Sequence, residues 1–81
     1  MITNYFTFGQ SHVHRVNNVT WDCDIVCEIT AENEAQARDK MVDAFGTKWG
    51  FQYPTLDMVG LHYYHRGYRN LEHNIGGADV I

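Results

Sequence analysis

A chain of 81 residues, 44% hydrophobic and 20% charged, has material for one small core and excludes two independent domains, which rarely fold below about 50 residues each. Four Phe, five Tyr and two Trp with a formal charge of only −4 exclude a disordered chain, which is poor in aromatics and held open by charge. Six Lys and Arg against ten Asp and Glu exclude broad binding to a phosphate backbone, which needs a basic face.

From the N-terminus, Tyr5 to Val16 is rich in aromatic and β-branched residues and predicts a strand. Asn17-Asn18 then supplies a two-residue hairpin turn, because asparagine tolerates positive φ. The returning strand is Trp21 to Thr30. Trp21, Cys23, Ile25, Cys27 and Ile29 alternate with Asp22, Asp24, Glu28 and Thr30, broken only by Val26, as a half-buried strand requires. That turn pairs Phe6 with Ile29, Phe8 with Cys27, Gln10 with Ile25, His12 with Cys23, His14 with Trp21 and Arg15 with Thr20, so that the apolar faces coincide. Gly9 is a place for a bulge that would shift everything before it.

Asn33 and Gln36 read as the cap of a helix that Gly46 stops, with Ala37, Met41, Ala44 and Phe45 on its inner side. This helix covers the Phe6, Phe8, Ile25, Cys27 and Ile29 face. Trp49, Phe51 and Tyr53 extend the core, and a short strand over 49–53 fits them. Pro54 to Gly60 is a connection, Leu61 to Tyr68 a further strand, and 74–81 a loose tail. The expected fold class is α+β: a single two-layer ββαβ domain over 1–81, with an antiparallel sheet and one helix packed on one face. The uncovered face and the open edges lead to the expectation of a homo-oligomer.

Two groups of residues could carry chemistry. His12-x-His14 places two imidazoles about 7 Å apart on one side of a strand, and the register adds Cys23 as a third weak metal-ligand candidate. Lacking a fourth ligand, the trio reads better as a core thiol and a polar rim. Leu61 to Arg69 interleaves aromatic, imidazole and guanidinium groups in His62, Tyr64, Arg66, Tyr68 and Arg69. Such a mixture suits a nucleotide or a protein interface. If this strand lies beside the hairpin, Arg66 joins Gln10, His12, His14 and Trp21 in one small binding rim. Cys23 and Cys27 are too far apart along a strand for a disulfide, so reduced thiols are expected. No nucleophile elbow or phosphate-binding glycine loop is present, so a non-enzymatic protein without a cofactor is expected. No apolar run reaches membrane-spanning length and the first residues lack signal-peptide character, which points to the cytoplasm.

Tyr5-Phe6-Thr7-Phe8-Gly9-Gln10 with His12-x-His14, followed by Ala37-Arg38, Met41, Phe45-Gly46, Lys48-Trp49 and Phe51-Gln52-Tyr53, resembles short uncharacterised proteins encoded by tailed bacteriophages. The likeness runs from Tyr5 to Tyr53. It implies a phage setting, in the host bacterial cytoplasm, rather than a reaction. Small nonstructural phage proteins of this size often look like host-takeover or counter-defence factors, either inhibitors that cover a host protein or sponges that sequester a nucleotide. The expectation is therefore an accessory protein that binds and blocks a host protein. A sponge for a nucleotide or another small phosphorylated ligand is the alternative, and a metal-binding protein using His12 and His14 a minor one.

Overall fold

The structure, a computed structural model, describes residues 1–16 and 18–71; the tail expected over 74–81 lies outside them. The chain is α+β, with a four-stranded sheet, a two-stranded sheet and one main helix. The strands are β1 (Ile2–Phe6), β2 (His14–Val16), β3 (Val19–Trp21), β4 (Val26–Ala31), β5 (Gln52–Tyr53) and β6 (Tyr68–Asn70). Helix α1 spans Glu34–Phe45, α2 is a single turn at Leu56–Val59, and a 3-10 turn follows at Leu61–Tyr63.

The tip of the hairpin forms as the sequence predicts. His14 pairs with Trp21, Arg15 with Thr20 and Val16 with Val19, and Asn18 takes the left-handed conformation at φ 64°. Beyond the tip the ladder breaks on both arms, so the strand expected over Trp21 to Thr30 is two strands. Asp22 causes the break. Its carboxylate accepts from the Asp24 amide at 2.9 Å and its carbonyl from the Ile25 amide at 3.4 Å, a local turn that competes with the ladder. Ile25 and Val26 can then both be buried, which explains the one interruption in the alternation.

Past the break, Phe6 pairs with Cys27 and Ile2 with Ala31. The expected pairs Phe6–Ile29, Phe8–Cys27, Gln10–Ile25 and His12–Cys23 do not form. From the His14–Trp21 pair to the Phe6–Cys27 pair the first arm takes eight steps and the second six. Gly9, at φ 71°, lies within the longer arm. The excess is even, so the paired residues of β1 and β4 keep their expected faces, and Phe6, Cys27 and Ile29 still meet α1.

Asn33 caps α1 by accepting from the Gln36 amide at 2.8 Å. Gln36 reaches back to the Glu32 amide at 2.7 Å, a reciprocal cap that satisfies two donors at the helix entrance. Ala37, Met41 and Phe45 are its buried positions. They close on Phe6, Phe8, Trp21, Ile25, Cys27 and Ile29. At the centre, Phe45 lies edge-on to Phe8 at 5.0 Å and to Trp21 at 5.8 Å, and Trp49 lies edge-on to Phe6 at 5.1 Å. Aromatic edge-to-face contacts therefore supply specificity beyond area burial.

The sheet order is β5-β1-β4-β6. The short strand anticipated near 49–53 is β5, antiparallel to β1 through Tyr5–Tyr53 and Phe6–Gln52. The strand expected over Leu61 to Tyr68 is not formed. That segment is the 3-10 turn followed by a bend, and only at Tyr68 does the chain extend, running parallel to β4. The reversal is made at Gly67, whose φ of 69° favours glycine. Its carbonyl accepts from the Val26 amide at 2.8 Å while the Arg66 amide donates to Asp24 at 2.9 Å. The sheet is consequently mixed rather than wholly antiparallel.

Candidate functional site

Opposite α1, the sheet carries a row of tyrosines. Tyr5 pairs directly with Tyr53 on one side and with Glu28 on the other, and directly opposed residues share a face. Tyr68 pairs with Val26 on that same face and sets its ring edge-on to Tyr5 at 6.2 Å. Glu28 thus lies in a tyrosine-bearing surface, and the Asn70 amide donates to its carboxylate at 3.2 Å. Burial and the Glu28 carboxylate raise the Tyr5 hydroxyl above its ordinary value.

At the Thr7 end of this face, α2 packs on β5 and the following 3-10 turn brings Tyr63 and Tyr64 over the sheet. A cleft of about 300 Å³ results, lined by Thr7, Gly9, Gln10, Cys23, Phe51, Tyr53, Tyr63 and Tyr64. Thr7 fixes its floor. The Thr7 hydroxyl accepts from the Phe51 amide at 3.3 Å, the Thr7 amide donates to the Phe51 carbonyl at 3.0 Å, and Tyr64 is hydrogen bonded to Thr7. Gly50 packs closely beside it, since a β-carbon there would lie 3.2 Å from both the carbonyl and hydroxyl oxygens of Thr7. The lip is aromatic and open: Phe51 is 69% exposed and Tyr63 74%. Among the described residues that line the cleft there is no Lys, Arg, His or carboxylate. Burial, then Tyr53, pushes the Tyr64 hydroxyl up, with Thr7 opposing the shift.

A second hollow, of about 510 Å³, lies between the start of α1 and the β5 edge. Arg38 is there, but its Nε and Nη2 donate to the Gln52 side-chain oxygen at 3.3 and 3.1 Å.

Of the residues singled out from sequence, the cleft brings together Gln10, Tyr64 and Cys23, the last as a wall residue rather than the core thiol expected. The Gln10, His12, His14, Trp21 and Arg66 rim does not assemble. Trp21 is fully buried, its indole nitrogen donating to the Val16 carbonyl at 3.0 Å, so it presents no ring to a ligand. His14 caps the core, edge-on to Phe45 at 5.0 Å and hydrogen bonded through Nε2 to the Lys48 carbonyl at 2.7 Å. His12 is half-buried. Arg66 does reach the hairpin, yet as a structural tie: it donates to the Thr20 carbonyl at 2.7 Å and faces Asp22 at 3.7 Å. Arg69 is buried beside Cys27 in the ladder, Tyr68 lies on the open face, and His62 is exposed, its ring 4.1 Å from that of Tyr63. Among the described residues no three His, Cys, Asp or Glu side chains converge as a metal site, so His12, His14 and Cys23 do not form one.

Sequence reasoning missed Thr7, Phe51, Tyr53 and Tyr63. Of the three aromatics expected to extend the core, Trp49 packs there, whereas Phe51 and Tyr53 lie on the face away from α1. The alternation Phe51-Gln52-Tyr53 carried that signal, since only one of its two sides can face the helix.

Cys27, Tyr5 and Tyr64 together set an alkaline limit to stability. The Cys27 thiol is pushed well above 9.0, chiefly by burial and then by Glu28, and the two tyrosines above 10.0. All three are neutral when protonated and have higher folded than unfolded values. Their contribution is complete below the unfolded values and is lost as pH rises towards the folded ones. The urea midpoint should therefore hold from about pH 7 to about pH 8.5 and fall by about pH 10.5. In Cys27→Ala the fall should be shallower, and a midpoint that rises with pH contradicts the assignment.

No helix among the described residues is long and apolar enough to cross a membrane. Compared with protein-family models, with curated proteins and with solved structures, the chain gives no significant match.

Proposed function

We propose that the chain is a non-enzymatic binding protein that acts by covering a host protein, in the phage setting and bacterial cytoplasm that its sequence resemblance implies. The observation that carries this reading is the pair of large aromatic side chains left in solvent, Phe51 and Tyr63, on one cleft. Exposed aromatics around a cleft are the composition of protein-binding hot spots. The neutral lining favours recognition over proton transfer. The sponge alternative has less support, because Arg66 is engaged with Thr20 and Asp22 and none of the described residues lining the cleft is a cation.

The test is capture of a host protein by the tagged chain, compared with the Phe51→Ala/Tyr63→Ala double variant. Each side chain is exposed, so the thermal midpoint of the variant should match the parent, whereas affinity should fall by roughly 2 kcal/mol or more if the pair is a hot spot. A parent that retains nothing, or a variant that retains the same partner equally well, overturns the proposal.

A further inference from the structure

We infer that the cleft at the Thr7 end of the open sheet face receives a basic side chain, arginine or lysine, of the partner. This rests on the binding role proposed above and names the chemistry of the contact.

Four rings, Phe51, Tyr53, Tyr63 and Tyr64, line one space of about 300 Å³, the lower end of the range for small-molecule sites. It is a volume for one side chain or a small headgroup rather than for an extended ligand. Aromatic rings present a negative π face, and a cation held against several of them is attracted through each. An anion finds nothing comparable, because none of the described lining residues is Lys or Arg. The remaining polar groups are a glutamine amide, a threonine hydroxyl, a thiol and three phenols. Gln10 and the tyrosine oxygens can accept from a guanidinium or ammonium.

The surroundings repeat the same sign. Glu28 lies on the tyrosine-bearing face next to Tyr5. Cys23, on the cleft wall, has Asp24 Oδ1 4.0 Å from its sulfur. The chain as a whole carries −4, which draws a basic partner and repels an acidic one. Arg66, on the segment that follows Tyr64, faces Asp22 and donates to the Thr20 carbonyl, so its charge is already matched. A basic segment laid along the sheet face would set one cation among the rings while neighbouring positive charges meet Glu28.

The contact can be measured without knowing the partner, by amide chemical-shift titration of the full chain with N-acetyl-arginine amide, with the neutral isostere N-acetyl-citrulline amide, and with adenosine monophosphate. The arginine probe should shift the amides of Thr7, Gly9, Gln10, Tyr53 and Tyr64 saturably, and the citrulline probe should bind about tenfold more weakly. The single variants Phe51→Ala and Tyr63→Ala, both at exposed positions, should each weaken the arginine probe with unchanged spectra elsewhere. Equal binding of the citrulline probe, tighter binding of the nucleotide, or no saturable shift at these amides overturns the inference. Host capture is read separately: capture that persists when the titration fails removes the cation and keeps the binding role, whereas saturable arginine binding with no host capture removes the role.

Discussion

Trp21→Ala should leave the chain unfolded at room temperature, with loss of near-ultraviolet circular dichroism and of a cooperative urea transition. Trp21 has no exposed surface and touches Phe8 at 5.9 Å and Phe45 at 5.8 Å, so truncation opens a cavity that rigid rings on two sides cannot collapse into. Removing a buried Trp costs about 3–5 kcal/mol. A domain of this size has a stability of about that amount to spend. Trp21→Phe separates the two contributions. It keeps most of the ring but removes the indole donor to Val16, leaving that carbonyl without its partner at a cost of about 1–3 kcal/mol. That variant should fold with a lower urea midpoint. An alanine variant as stable as the parent would mean the hairpin does not pack on the core.

The second large effect belongs to a polar group. Gln52→Leu should destabilise by about 1–3 kcal/mol, although Gln52 lies on a two-residue edge strand. Its amide donates to Asn4 Oδ1 at 2.5 Å and to the Glu34 carbonyl at 3.1 Å, while its oxygen accepts from Arg38. Asn4 is only 2% exposed. With leucine in place, the Asn4 oxygen remains buried without this donor, and the tie between β5 and the entrance of α1 is lost. The check is a double-mutant cycle with Asn4→Leu, read from urea midpoints. The pair should couple by about 0.5–3 kcal/mol, the double variant costing less than the two singles together. Strict additivity would show that the two side chains do not act as a unit.

The parts of the fold legible in sequence were those decided locally. Asn33, Gln36 and Gly46 mark α1 because capping is a matter of four or five residues, and the hairpin tip follows from the turn and the alternation beside it. The break at Asp22 was hidden because alternation continues through it: a side-chain turn replaces the ladder without changing which residues are apolar. Leu61 to Tyr68 misled for a related reason. Its tyrosines and histidines suit a strand by composition, whereas Gly60 and Gly67, both at positive φ, bend the chain between them. The cleft was the least legible feature. Its rings come from Phe51 and Tyr53 on one segment and Tyr63 and Tyr64 on another, and their meeting depends on α2 folding back over β5.

The parallel pairing of β6 with β4 also sets an order of assembly. β1, β4 and α1 all lie before Gly46, with β4 running into α1 through two residues and β1 reaching β4 by way of the local β2–β3 hairpin, so they can form a nucleus. β6 can join only after the chain has travelled through α1, β5 and α2, and the loop-closure entropy of that excursion is repaid by three residues of ladder. Opening of the β6 edge removes little of the main cluster, so its amides should exchange with solvent well before those of β4. Because Gly67 holds Val26 while the Arg66 amide holds Asp24, that breathing reaches the segment carrying Tyr63 and Tyr64. One wall of the cleft is therefore hung from a seam only three residues long at the edge of the sheet.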